Sequence, residues 1–228
     1  MSGTLSAFFD ECGQENKFQP GAKYYLLTVV LHDQRDSLDG LIASYEASLR
    51  ESSLPDVPFH AYDLQHARGG YAGLEFGTRK RLLSKFEGFV RRLPVTYRTF
   101  VYRRPEFKTA KALSERMQRD LASFIRDNYS EFQPYATVAI YYDSGQAAAD
   151  VAIHRAFDET LSANTADYKR LRYQERRLAQ AADYFCSMEL AALRYADHEE
   201  TNTYIKLFGG FRAFKANHLK QIRKKLHR

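Results

Sequence analysis

The chain reads as an α/β protein built on one mixed sheet covered by helices. Residues 5–10 and 23–32 are strand-like, and the stretch between them is too short for a crossover helix, so they pair as a hairpin. Behind them, strand-like and helix-like stretches alternate, which places further strands beside the hairpin and helices on the faces. A length of 228 residues, 44% of them apolar and 27% charged, suits one large domain with a full core.

The elements follow in order. Residues 11–21 carry Gly13, Pro20 and Gly21 and read as a turn region. Residues 37–49 space Leu38, Leu41, Ile42, Tyr45 and Leu49 as a helix, with Asp36 or Ser37 as its cap. Residues 57–62 lie beside two prolines and suit a short third strand at an edge. Residues 66–77 hold four glycines and read as a mobile loop. A helix is expected over 78–93, stopped by Pro94, then a strand over 95–102 and a helix over 109–129. Residues 136–142 form the clearest inner strand, followed by a helix over 147–161 and a last strand over 168–173. Residues 178–195 are apolar on most faces and predict a buried helix; 201–210 link it to a final basic helix. The main domain is placed at 1–200, with 201–228 as a basic C-terminal helical extension packed on the same domain.

Charge is uneven along the chain. Of 34 Lys and Arg, eight fall in residues 203–228, where no Asp or Glu occurs. Lys215, Lys220, Arg223, Lys224 and Lys225 there, with Arg68 in the glycine loop, are the candidates for holding a phosphate backbone. A solvated helix face is the simpler alternative. Phe211 and Phe214 share a stripe with His218, Ile222 and Leu226, so they are expected to pack on the body rather than stack on bases. No run approaches the ~18 apolar residues of a membrane span, and the N-terminus lacks a basic signal-peptide region. Two cysteines make no disulfide framework, so the expected setting is reducing and cytoplasmic. Phosphate-loop, dinucleotide, zinc-helix and nucleophile-elbow motifs are all missing.

The residues that suggest chemistry are acidic. Asp10 closes the first strand and Asp143 follows the inner one. Strand ends in such sheets open into ligand crevices. Adjacent carboxylates repel, and a hard divalent cation such as Mg²⁺ or Mn²⁺ is their natural counterpart. An ordinary turn or cap role is the alternative for each. Asp183 stands inside an apolar helix, where an acid is rarely buried without a partner. Gln180 shares its face and is placed to orient the carboxylate or a water; an exposed helix edge is the alternative. His60 and Asp63, ahead of the glycine loop, suit a ligand, a proton shuttle or a phosphate contact, or else a capped turn. Glu11 is either a further ligand or base, or an exposed turn residue.

Four motifs occur in order: Phe9-Asp10-Glu11-Cys12-Gly13, Phe59-His60-Ala61-Tyr62-Asp63-Leu64, Tyr142-Asp143 and Leu178-Ala179-Gln180-Ala181-Ala182-Asp183. Through them the chain resembles the domain of unknown function 3800 family over residues 5–196. The resemblance implies a ribonuclease H-like mixed sheet flanked by helices. It also implies a metal cluster with Asp10, Asp143 and Asp183 at the acidic positions, joined by Glu11 and Asp63. Two departures stand out: Cys12 replaces the usual serine, and residues 173–176 lack a common one. Cys12 and Cys186 each flank a proposed ligand and under this fold could approach one another; the favoured expectation is two independent buried thiols.

The implied activity is metal-dependent hydrolysis of nucleic acid, with Mg²⁺ or Mn²⁺ as cofactor. The rival is a non-catalytic module of the same fold, binding nucleic acid or protein within a mobile-element or defence system. A third reading makes the terminal helix the contact of a homodimer.

Overall fold

In the computed structural model, residues 3–13, 23–142, 147–162, 165–170 and 176–227 are described. Five strands form one sheet: β1 (Thr4–Cys12), β2 (Tyr24–Asp33), β3 (Thr96–Arg103), β4 (Thr137–Tyr142) and β5 (Ala166–Arg170). Their order is β3-β2-β1-β4-β5. β1 and β2 pair antiparallel from Leu5 opposite Asp33 to Cys12 opposite Leu26, which is the expected hairpin pairing. β3 adds antiparallel to β2, while β4 lies parallel to β1 and β5 parallel to β4. β1 therefore sits at the centre, buried on both faces.

Strand alternation divides the core in two. On one face, Leu5, Ala7 and Phe9 of β1 meet α4 (Ala110–Asp127), α5 (Tyr129–Phe132) and α6 (Ala147–Thr160). Leu113, Met117, Leu121 and Ile125 supply the buried stripe of α4, and Thr109 caps it by accepting from the Ala112 N–H at 3.1 Å. On the other face, Phe8 and Val30 meet α7 (Arg177–Ala196), backed by α1 (Asp39–Glu51), α2 (Ala61–His66) and α3 (Phe76–Arg92). α7 crosses β1 and β2 and is buried on nearly every side, as its all-round apolar sequence predicts.

Several elements differ from expectation. Residues 57–62 are not a strand. Pro55 and Pro58 remove backbone donors, and His60 instead caps α2. The glycine stretch is not a plain loop: it holds a 3₁₀ turn, Gly69–Tyr71, with the Tyr71 ring buried. Residues 201–210 are not a bare link, because Thr201 caps α8 (Asn202–Phe208). The terminal basic stretch is not one α-helix. It passes from α-helix (Phe211–Phe214) through a π-turn (Lys215–Leu219) and a short α-turn (Lys220–Ile222) to a 3₁₀ turn (Arg223–Lys225). β5 starts two residues earlier than predicted, and residues 171–173 lie outside the described residues.

The terminal segment is bound to the body by its apolar stripe. Phe214, Leu219 and Ile222 are buried in the α7-side core together with Tyr204, Leu207 and Phe208 of α8. Phe214 stacks on Tyr195, and exposed Phe211 lies on the same ring. Arg223 grips Glu189 of α7, which also accepts from the Tyr97 hydroxyl at 2.8 Å.

Candidate functional site

The β1 residues that face α7 after Phe8 are Asp10 and Cys12, because every second residue of a strand points the same way. On α7 the matching pair is Asp183 and Cys186, three residues apart and on one helical face. The packing of α7 over β1 brings the pairs together. The Asp10 carboxylate and the two sulfurs lie within 4.8 Å of one another. Both thiols are pushed up: Cys12 first by its contact with Cys186 and then by burial, Cys186 first by burial. The negative fields of Asp10 and Asp183 add to both. The expectation of two independent thiols is thus overturned. The helix and strand repeats that align the acids also align the cysteines that follow them.

Asp183 is 6% exposed. Its Oδ2 accepts from the Ala61 N–H at 2.7 Å, one of the amides that the first turn of α2 leaves without a helical partner. Burial raises this carboxyl to about 7; the Ala61 bond opposes the rise and the charge of Asp63 adds to it. Among the described residues, no Lys, Arg or His lies within ion-pair distance of Asp183. A buried carboxylate beside other acids, with no cation against it, is a donor set that suits a divalent ion.

α2 places the third acid. His60 Nδ1 lies 3.3 Å from the Asp63 N–H, which it caps, and 3.2 Å from Asp63 Oδ2. One nitrogen cannot accept from the amide and donate to the carboxylate at once, and as the N-cap of α2 it accepts from the amide. Gly69 packs beneath. Its φ is +50°, and a Cβ there would stand 2.6 Å from Asp63 Oδ2, so any other residue would need both a left-handed backbone and a shift of the Asp63 carboxylate. Arg68 is exposed and lies over the Tyr62 ring at 5.3 Å.

The other predicted residues are placed differently. Alternation sends Glu11 to the face of β1 away from α7. Gln180 is fully buried, and its Oε1 accepts from Arg177 at 3.2 Å, joining it to a network with Glu46 and Asp56. Asp143 lies outside the described residues, directly after β4. Lys215, Lys220, Arg223 and Lys224 line one groove of about 600 Å³ with Arg212. Within it Arg223 is engaged by Glu189 and Lys224 by Gln221, while Lys215 and Lys220 are exposed.

The fold is α/β: one mixed five-stranded sheet flanked by helices, with an antiparallel hairpin at the centre, extended antiparallel on one side and parallel on the other. No protein-family model matches the chain, and no curated protein matches it. Solved structures give distant likenesses. One is to a chain in the complex of PCNA with RNase HII from Archaeoglobus fulgidus, with a TM-score of 0.38, 12% identity, and 94% of this chain and 96% of that one covered. Another is to ribonuclease H2 from Pyrococcus horikoshii, with a TM-score of 0.36, 13% identity, and 93% of this chain and 100% of that one covered. No helix among the described residues is long and apolar enough to cross a membrane.

Proposed function

We propose that the protein hydrolyses phosphodiester bonds of nucleic acid with the help of Mg²⁺ or Mn²⁺. The observation that carries this is Asp183: a buried carboxylate near Asp63 and the Asp10–cysteine cluster, held charged only at a cost and with no cationic side chain against it among the described residues. Asp10, Asp183 and Asp63 would hold the ion. Asp143 would join them on its sequence position directly after β4, whereas Glu11, on the opposite face of β1, would stay outside the ion's shell. A bound divalent ion supplies charge stabilisation at the phosphate and lowers the pKa of water. The chain's own part is to fix the carboxylates on β1 and α7, two elements packed directly together. The Ala61 N–H orients Asp183, and His60 steadies Asp63.

The groove lined by Lys215 and Lys220 offers the phosphate backbone a positively charged track. It begins at Arg223, whose partner Glu189 is six residues along α7 from Asp183, about 9 Å by helical rise.

The test is hydrolysis of single- and double-stranded DNA and RNA with Mn²⁺. Asp10→Asn and Asp183→Asn are each expected to lower the rate at least ~100-fold, the scale of losing several kcal/mol of metal-borne stabilisation. Equal rates in all three proteins would remove the catalytic reading and leave a binding module of the same fold.

A further inference from the structure

We propose that Cys12, Cys186 and Asp10 form a binding site for a thiophilic divalent cation, with Zn²⁺ the best fit, differing in donor chemistry from the carboxylate centre beside it.

The geometry is the main support. Three ligand atoms of the right kinds, two sulfurs and a carboxylate oxygen, lie within 4.8 Å of one another before any ion is considered. In a tetrahedral zinc site with Zn–S about 2.3 Å and Zn–O about 2.0–2.2 Å, neighbouring donors stand roughly 3.5–3.8 Å apart. Closing the cluster on an ion therefore needs shifts of about 1 Å, within the reach of side-chain rotation. The donors also come from rigid elements. Asp10 and Cys12 are fixed by β1 at the centre of the sheet, and Cys186 by the most buried helix of the fold.

Ligand softness then selects the ion. Two thiolates favour Zn²⁺, Cd²⁺ or Co²⁺ over Mg²⁺, which prefers an all-oxygen shell. Binding costs each thiol its proton, so two protons leave for every ion bound and affinity falls with falling pH. Three protein ligands leave a fourth position open. A further consequence rests on the hydrolase reading above: Asp10 belongs to both centres, so Zn²⁺ drawn to the sulfurs takes a ligand from the hard-metal site and opposes Mn²⁺-supported turnover.

The experiment titrates Co²⁺ into full-length protein that has been reduced and stripped of metal. The expected result is a thiolate-to-cobalt charge-transfer band in the near ultraviolet, with the strong visible bands of four-coordinate cobalt. It saturates at one equivalent and is erased by one equivalent of Zn²⁺. Cys12→Ser and Cys186→Ser should each abolish the band at that stoichiometry. Asp10→Asn should keep sulfur ligation with affinity weakened at least about tenfold, the lower bound known for disturbing a ligand's surroundings. Because Cys186 is fully buried, circular dichroism checks the fold of its variant, and Cys12→Ser decides the matter if that fold is lost.

The proposal is overturned if the reduced wild type shows no charge-transfer band, or if the band survives Cys12→Ser. Thiol counts that show the two sulfurs closing into a disulfide, with no cobalt uptake after reduction, overturn it equally. Hydrolysis plays no part in this readout. A cobalt band without nuclease activity sinks the nuclease reading alone, and nuclease activity without the band sinks the thiolate site alone.

Discussion

At the scale of the residue, Asp183 is the acid whose surroundings say most. Its carboxyl titrates higher in the folded chain than in the unfolded one, where the value is 3.8, because burial disfavours the charged form. The sign follows. Below pH 3.8 the group is protonated in both states and costs nothing; between 3.8 and about 7 the unfolded chain ionises it while the fold keeps it neutral, so stability falls across that window and the loss is complete once pH passes about 7. Asp183→Asn keeps an oxygen for the Ala61 N–H and escapes that loss. In the presence of a chelator, the variant should melt higher than wild type at pH 8 and no higher at pH 3.5. A melting difference that stays constant across this range would show that the charge is not what the fold is bearing. A side chain whose neutral copy stabilises the protein is one retained for something other than stability. Sequence reasoning reached Asp183 by the oddity of an acid in an apolar helix, and reached Asp10 from the strand end. The cysteines were readable by the same repeats, two residues after Asp10 and three after Asp183; their approach was weighed, but independent thiols were preferred. Gln180 was read by face alone, and its bond to Arg177 depends on Glu46 and Asp56, more than a hundred residues away in the chain.

At the scale of the element, α2 and the turn beneath it were the hardest to read. Val57, Phe59, Ala61 and Tyr62 beside prolines look like an edge strand, because alternation and proline are both at home there. What decides against it is local chemistry at one residue: the His60 ring satisfies the Asp63 N–H and starts a helix. The four glycines suggested mobility, yet Gly69 is there to let the chain pass under Asp63. Gly69→Ala should cost about 1–2 kcal/mol from its left-handed backbone alone, read as a lowered urea midpoint with an unchanged slope. It should also disturb Asp63, so metal affinity should fall further than stability. A variant as stable as wild type would mean that the turn adjusts freely. The long helices and the five strands were legible within a few residues because each has a sustained period of its own.

At the scale of the whole molecule, the terminal segment was read correctly as basic and as having an apolar stripe, but its regular helix was not found. The π-turn lets Phe214, Leu219 and Ile222 reach one core, a requirement set by the body and invisible in the segment itself. Deleting 203–228 is therefore not a clean test of nucleic-acid binding. It strips Phe214, Ile222 and the Arg223 partner of Glu189 from the fold, and the loss expected is at least several kcal/mol. Reversal of the two exposed charges, Lys215→Glu with Lys220→Glu, separates the effects. Stability should hold within ~0.5 kcal/mol, while nucleic-acid affinity at low salt falls and its salt dependence becomes shallower. Unchanged binding in that double variant would take the groove out of the reading.

The same segment ends on β3, the outer strand of the sheet. Leu226 forms a parallel bridge with Tyr97, and the His227 N–H donates to the Tyr97 carbonyl at 2.8 Å. An outer strand with unpaired carbonyls is a template on which another copy can add a strand of its own. On the opposite margin, β5 carries Asp167 and Lys169, charges that discourage such addition. β3 includes the exposed Val101, so its safety depends more on cover. Leu226 and His227 thus cover the start of β3 against self-templating, and loss of that cover is expected to show as ordered aggregation nucleated there.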